Sequence, residues 1–125
     1  MAYAIAGRVK SFASPGYPPG PLVPHGMAVA VGAPAVFRAF AAFQPERHRE
    51  AAALLGGGDD LARATLELSR GIGIPNGLAG VGYTAGDIAD LVAGTLPQQR
   101  LLANAPCELG REAIGRLFEG ALQYW

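Results

Sequence analysis

The sequence predicts an all-α protein, a helical bundle of six or seven helices with short connections. Three observations favour this class. No segment alternates apolar and polar residues with the period of two that a half-buried strand shows. Alanine, a strong helix former, dominates the apolar segments. Clusters of proline and glycine divide the 125 residues into lengths that are typical of helices. A chain of this size predicts a single domain, residues 1–125.

Four helices are predicted in the first part of the chain. The first has no capping residue before it, and a loop stiffened by five prolines follows. Pro34 is expected to kink the long second helix. The run Gly56-Gly57-Gly58 ends the third helix, and Asp59 or Asp60 caps the fourth, in which three leucines are expected to be buried. The predicted helices are Met1–Ala13, Gly26–Phe43, Glu46–Leu55 and a helix through Arg70 that buries Leu61, Leu66 and Leu68.

Three more helices are predicted after the loop that starts at Gly71, whose irregular glycine spacing does not fit a phosphate-binding loop. Thr84 and Asp87 have the spacing of a capping box for the next helix, which ends before Pro97. Asp87 and Asp90 are interpreted as a favourable charge bias at a helix start. The predicted inward residues are Ile88, Leu91 and Val92. A short helix, Pro97–Leu102, precedes the amphipathic helix Gly110–Trp125, with Ile114, Leu117, Phe118, Ala121 and Leu122 on one face.

The composition excludes several kinds of protein. Only 16% of the residues are charged, against about 25% in a typical soluble domain, which indicates a surface that a partner covers. We therefore expect the isolated chain to self-associate, as in a homo-oligomer. Ten acidic and ten basic residues cancel, and the scattered arginines do not support nucleic-acid binding. The single cysteine, Cys107, excludes an internal disulfide and a multi-cysteine zinc site. No segment predicts a signal peptide or a membrane span, so a cytoplasmic protein is expected.

One histidine lies in a setting that favours chemistry. Pro24 fixes the backbone before His25, and Gly26 allows a sharp turn into the apolar segment that follows. A neutral imidazole on a fixed turn can bind a divalent metal. The alternative is a polar cap or a hydrogen-bonded loop residue, because one histidine does not make a site. The other imidazole, His48, lies between two arginines and is expected on the surface.

The sequence motifs around His25 resemble one enzyme family. They are Leu22-Val23-Pro24-His25-Gly26-Met27, Pro34–Phe37 and Phe43–His48, followed by Gly80–Thr84, Gly94–Gln98 and, in altered form, Asn104–Pro106. Together they resemble the carboxyl-terminal helical domain of the iron-dependent (group III) alcohol dehydrogenases. Within that family the chain is most similar to the hydroxyacid-oxoacid transhydrogenase branch.

The resemblance implies a ligand role for His25. Members of the family join an amino-terminal dinucleotide-binding domain to the helical domain, and one aspartate and three histidines hold a divalent metal, iron or zinc. His25 matches the last of these ligands. The ligand before it would lie two residues upstream of Met1, and the others further upstream. A histidine credited with relaying protons in the family is replaced by Tyr3.

The resemblance also implies a function for the complete protein. A metal-dependent oxidoreductase would transfer hydride between a small hydroxy acid, such as 4-hydroxybutyrate, and NAD, with 2-oxoglutarate as acceptor. The chain is then a fragment whose partner is the missing amino-terminal half. Alone it is expected to be inactive and to bind neither metal nor NAD tightly. The alternative is a non-catalytic helical interaction module that kept the fold and lost the chemistry.

Overall fold

Every regular element of the protein is helical, as the sequence predicts. The computed structural model describes all 125 residues and contains seven α-helices and two short 3₁₀ turns, Ala79–Val81 and Ala85–Asp87. None of the helices is long and apolar enough to cross a membrane. The α-helices are α1 (Ala2–Gly7), α2 (His25–Phe40), α3 (Pro45–Leu54), α4 (Leu61–Gly71), α5 (Ile88–Thr95), α6 (Gln99–Leu102) and α7 (Arg111–Gly120).

The long helix α2 lies at the centre of the bundle. It packs against α1 and α7 on the core side and against α4 on the other, while α5 packs against α1 and α7. The core also includes the loop between α4 and α5, from which Leu78 and Tyr83 are buried. The largest side chains that solvent does not reach are Ile5, Leu78, Leu91, Ile114 and Phe118.

The predicted caps are confirmed. The Asp60 carboxylate accepts a hydrogen bond from the backbone N–H of Arg63 at 2.9 Å, so Asp60 caps α4. The capping box is also present, because the Asp87 carboxylate accepts from the backbone N–H of Thr84 at 2.8 Å. Both motifs depend only on residues three apart, which is why the sequence alone predicts them.

The first helix is shorter than the sequence predicts. It ends at Gly7 instead of Ala13, and the residues that follow are held by partners from elsewhere in the chain. The Arg8 guanidinium lies 3.4 Å from the Asp90 carboxylate, and the Lys10 ammonium donates to Asp87. These tertiary contacts favour a non-helical path over the helix that local periodicity alone would continue.

The last helix is also shorter than predicted, ending at Gly120 instead of Trp125. The carbonyl oxygens of Ala121 and Leu122 accept hydrogen bonds from the backbone N–H groups of Leu78 and Ala79, both at 2.9 Å. The Asn76 side chain accepts from the backbone N–H of Tyr124 at 2.8 Å. The loop before α5 therefore holds residues 121–125 in a non-helical conformation.

The buried face of α4 differs from the predicted one. Leu61 is buried as expected, but Leu66 is only half-buried and Leu68 is 51% exposed. The other buried positions on this helix carry the small residues Ala62, Ala64 and Ser69. Small side chains let α2 and the α3–α4 connection approach closely. The size of the side chains, more than their hydrophobicity, therefore determines which face of α4 is buried.

Pro34 lies inside α2, which continues through it to Phe40. The Tyr124 hydroxyl donates to the carbonyl oxygen of Val31 at 2.9 Å and accepts from the backbone N–H of Ala35 at 3.3 Å. In a regular helix these two backbone groups bond to each other. The carboxyl-terminal segment thus satisfies backbone groups beside the proline, where side-chain insertion is a known cause of helix bending.

The buried Tyr83 and the half-buried Tyr124 are expected to make the fold less stable at alkaline pH. Burial raises the pKa of Tyr83 to about 12, and the carboxylates of Asp87 and Asp90 add to the effect. Burial also raises the pKa of Tyr124 to about 12. Between the unfolded pKa near 10 and the folded pKa, the unfolded chain loses phenolic protons that the folded chain keeps. The free energy of unfolding is therefore fully retained below pH 10 and falls as the pH rises from 10 to 12.

The Tyr83→Phe variant measures the Tyr83 share of this effect. In the parent, the Tyr83 hydroxyl donates to the Ile5 carbonyl oxygen at 2.6 Å. Because phenylalanine lacks this hydroxyl, the variant should be about 1 kcal/mol less stable at pH 8. Because phenylalanine does not titrate, the free energy of unfolding of the variant should fall less steeply than that of the parent above pH 10. The two slopes should differ by up to about 1.4 kcal/mol per pH unit. Urea unfolding at pH 8 to 12 gives both values, and equal slopes for variant and parent would contradict the assignment.

Candidate metal-ligand site at the start of the second helix

His25 is the first residue of α2, one residue before the helix start that the sequence predicts at Gly26. Pro24 precedes it at φ −55° and ψ 143°, and no side chain caps the helix. Val23 and Ala28, on either side of the turn, are each 1% exposed. Buried residues and a proline therefore fix the backbone of His25, while its own side chain is exposed.

The His25 ring has one aromatic neighbour and no hydrogen-bond partner in the chain. The Tyr3 ring on α1 lies 4.8 Å from it between centroids, at an interplanar angle of 49°. None of the side-chain hydrogen bonds or ion pairs uses the imidazole nitrogens. Within the chain, His25 therefore makes neither a side-chain cap nor a loop hydrogen bond. The nitrogens remain available to a ligand.

The side chains of this chain do not form a complete metal site by themselves. No three histidine, cysteine, aspartate or glutamate side chains come close enough to hold an ion. A borderline divalent ion needs about three or four protein ligands. His25 alone could fill at most one position of such a ligand set.

The other imidazole is not close to His25. His48 lies on α3 and packs edge-on against Phe37, with 5.9 Å between ring centroids. It is half-buried, so the prediction of a plain surface residue is wrong in part. Phe37 lies about 18 Å from His25 along α2, at a rise of 1.5 Å per residue. Because His48 packs against Phe37, the two histidines are too far apart to bind the same ion.

Sequence reasoning missed the ion pairs that hold α1 and its following segment. Lys10 and the Thr84 backbone lower the pKa of Asp87 to about 2, so this carboxylate is charged throughout the physiological range. A Cβ atom on Gly94 would lie 2.2 Å from the Arg8 guanidinium nitrogen Nε, so glycine lets Arg8 lie against α5 on its way to Asp90. Asp87 and Asp90 are helix-start residues, as predicted, but they also bind partners that no local pattern reveals.

An apolar cavity of about 260 Å³ adjoins α1 and was not predicted either. Tyr3 and Ala4 line it from α1, and the other walls come from α2, α5, α6, α7 and the loop between α6 and α7. The buried Thr95 also lines the cavity, but its hydroxyl donates to the Leu91 carbonyl oxygen at 2.9 Å. Tyr3 thus belongs both to this cavity and to the surroundings of His25.

A helical domain with one accessible imidazole on a Pro-His-Gly turn matches a known enzyme family. Residues 22–122 match the family model for the C-terminal part of the Fe-containing alcohol dehydrogenase family. The chain belongs to this family. The crystal structure of an iron-containing alcohol dehydrogenase from Corynebacterium glutamicum has the same fold, with a TM-score of 0.66 and 34% sequence identity over 81% of this chain and 28% of that one.

The chain is similar to one branch of the family in particular. It is 40% identical, over its whole length, to the mitochondrial hydroxyacid-oxoacid transhydrogenases of Xenopus laevis and Homo sapiens. A probable hydroxyacid-oxoacid transhydrogenase of Dictyostelium discoideum is 34% identical over 98% of the chain. The chain spans 29% of the first two relatives and 24% of the third. It corresponds to their C-terminal domain, and the predicted family and fold are confirmed.

Proposed function

We propose that this chain is the metal-side, C-terminal part of a nicotinamide-dependent oxidoreductase, in which His25 is one ligand of a divalent metal. The complete protein transfers hydride between a small hydroxy acid and an oxo acid. The observation that carries the proposal is the exposed, unbonded His25 ring on a fixed turn, in a chain 40% identical to hydroxyacid-oxoacid transhydrogenases. Imidazole suits both iron and zinc, so the ligand itself does not distinguish these ions.

The rest of the site belongs to another part of the protein. The chain spans only 29% of the relatives named above, and its His, Cys, Asp and Glu side chains form no group of three. We therefore assign the remaining ligands and the NAD site to an amino-terminal, dinucleotide-binding domain. His25, exposed at the amino end of α2, is accessible to such a domain.

The chemistry follows from the two groups that the complete site would hold. A bound divalent ion polarises a hydroxyl or carbonyl oxygen, and nicotinamide carries the hydride. The part played by this chain is to present an imidazole lone pair from a rigid backbone. Rigid presentation matters because ligand geometry must be held within a fraction of an ångström for efficient hydride transfer.

The compartment is a separate proposal. The composition predicts a cytoplasmic protein, whereas the relatives named above are mitochondrial. Fractionation of expressing cells, followed by detection of the chain in cytosol or organelles, decides between the two.

A chimera tests the proposed function. In it, this chain replaces the matching C-terminal 29% of the human transhydrogenase. We expect the purified chimera to retain about one metal ion per molecule and to show nicotinamide-linked turnover of a hydroxy acid. The isolated chain should bind Zn²⁺ no more tightly than a single surface imidazole does, because it supplies one ligand. Tight stoichiometric metal in the isolated chain, or a folded chimera without metal, would contradict the proposal.

A further inference from the structure

We propose that Tyr3 is a positioning residue for His25: its ring holds the imidazole in the orientation in which it binds the metal. The inference rests on the proposed function of His25. It starts from the contact between the two rings, whose centroids are 4.8 Å apart at a tilt of 49°. Offset and tilted aromatic pairs in this distance range attract each other beyond simple burial.

The Tyr3 ring is the restraint that the structure offers, because no hydrogen bond or ion pair within the chain holds the His25 ring. The backbone of His25 is fixed by Pro24, but its side chain is exposed and makes no hydrogen bond. In many metal sites a hydrogen bond from the second ring nitrogen fixes the orientation of the histidine. Here the chain offers an aromatic ring instead.

Tyr3 can act as a restraint because α1 is itself held firmly. Ala4 and Ile5, the two residues that follow Tyr3 on α1, are 4% and 0% exposed, respectively. The Ile5 carbonyl oxygen accepts the Tyr83 hydroxyl at 2.6 Å, and Arg8, directly after the helix, pairs with Asp90. A short helix anchored at these points presents the Tyr3 ring at a defined place beside α2.

The aromatic ring, not the hydroxyl, carries the effect. Tyr3 is 55% exposed, and its hydroxyl takes part in no hydrogen bond within the chain. Phenylalanine at this position keeps the ring contact, whereas leucine keeps apolar packing on α1 without a ring to pair with the imidazole. The two variants separate positioning from general packing.

Metal affinity is the first readout. In the chimera defined above, Tyr3→Leu is expected to weaken Zn²⁺ binding about three- to tenfold, and Tyr3→Phe to leave it unchanged. Phe43→Leu, which removes an equally exposed aromatic ring beyond the other end of α2, is the matched control and should have no effect. Equal affinity for Tyr3→Leu and the parent would overturn the inference.

The ring contact itself is the second readout, and it needs no metal. In the isolated chain, the ring current of Tyr3 should shift the His25 ring-proton resonances, an effect that Tyr3→Phe keeps and Tyr3→Leu removes. Resonances that do not respond to Tyr3→Leu would overturn the contact. The proposed function fails separately, if His25→Ala leaves the metal content of the chimera unchanged. If His25→Ala removes the metal but Tyr3→Leu does not weaken binding, only the positioning role fails.

Discussion

Replacement of Gly77 by alanine is expected to lower the free energy of unfolding by about 3 kcal/mol or more. Gly77 has φ +62°, a conformation that costs an L-residue about 1–2 kcal/mol. A Cβ atom there would also lie 2.5 Å from the Ala121 carbonyl oxygen and 2.8 Å from that of Leu122. These oxygens accept hydrogen bonds from Leu78 and Ala79, so they cannot move away without breaking the contact that holds the carboxyl-terminal segment.

Gly73 provides the matched control for this prediction. It has φ +79°, but no atom lies within 4 Å of the position its Cβ would take. Gly73→Ala should therefore cost only the backbone strain, about 1–2 kcal/mol. Urea unfolding of both variants measures the difference, and equal losses of stability would mean that the close approach at Gly77 does not hold the segment in place.

Local sequence features predict the middle of the fold well. The long second helix is predicted at Gly26–Phe43 and observed at His25–Phe40, because a proline-rich loop precedes it and Pro45 follows it. The caps at Asp60 and Thr84 are found where they are predicted, since a cap depends on neighbours within one turn.

The two ends of the chain could not be predicted in this way. Residues 8–13 and 121–125 have patterns compatible with a helix, yet both segments bond to groups more than 40 residues away along the chain. The prediction that Leu68 is buried is wrong for a related reason. The narrow space between α2 and α4 favours small side chains on the buried face. Such choices depend on packing, which a one-dimensional pattern does not contain.

The candidate site was likewise predictable in part. The proline and glycine beside His25 are adjacent in sequence, so its fixed place at a helix start follows from local rules. The pairing with Tyr3 depends on how α1 crosses α2, after a loop of 17 residues between Arg8 and Pro24 whose path no local rule determines. The proposed metal role comes from the family resemblance, because one histidine on a turn does not by itself specify a metal site.

The His25→Ala chimera is expected to lose its metal and its turnover together. Removal of a group that only orients a ligand typically costs about 10- to 100-fold in affinity, so loss of the ligand itself should cost at least as much. The neighbouring Gly26, Met27 and Ala28 offer no imidazole or carboxylate to replace it. Because the His25 side chain is exposed and makes no hydrogen bond, the substitution should not destabilise the fold, and an unchanged circular dichroism spectrum would establish this.

The most direct test is the metal content of three purified chimeras after dialysis against a weak chelator. The first chimera keeps both histidines, the second carries His25→Ala, and the third carries His48→Ala. The third removes the only other imidazole of this chain. The proposed ligand role predicts about one metal ion per molecule in the first and third, and less than a tenth of that in the second. Full metal content in the His25→Ala chimera would contradict the assignment of His25 as a ligand.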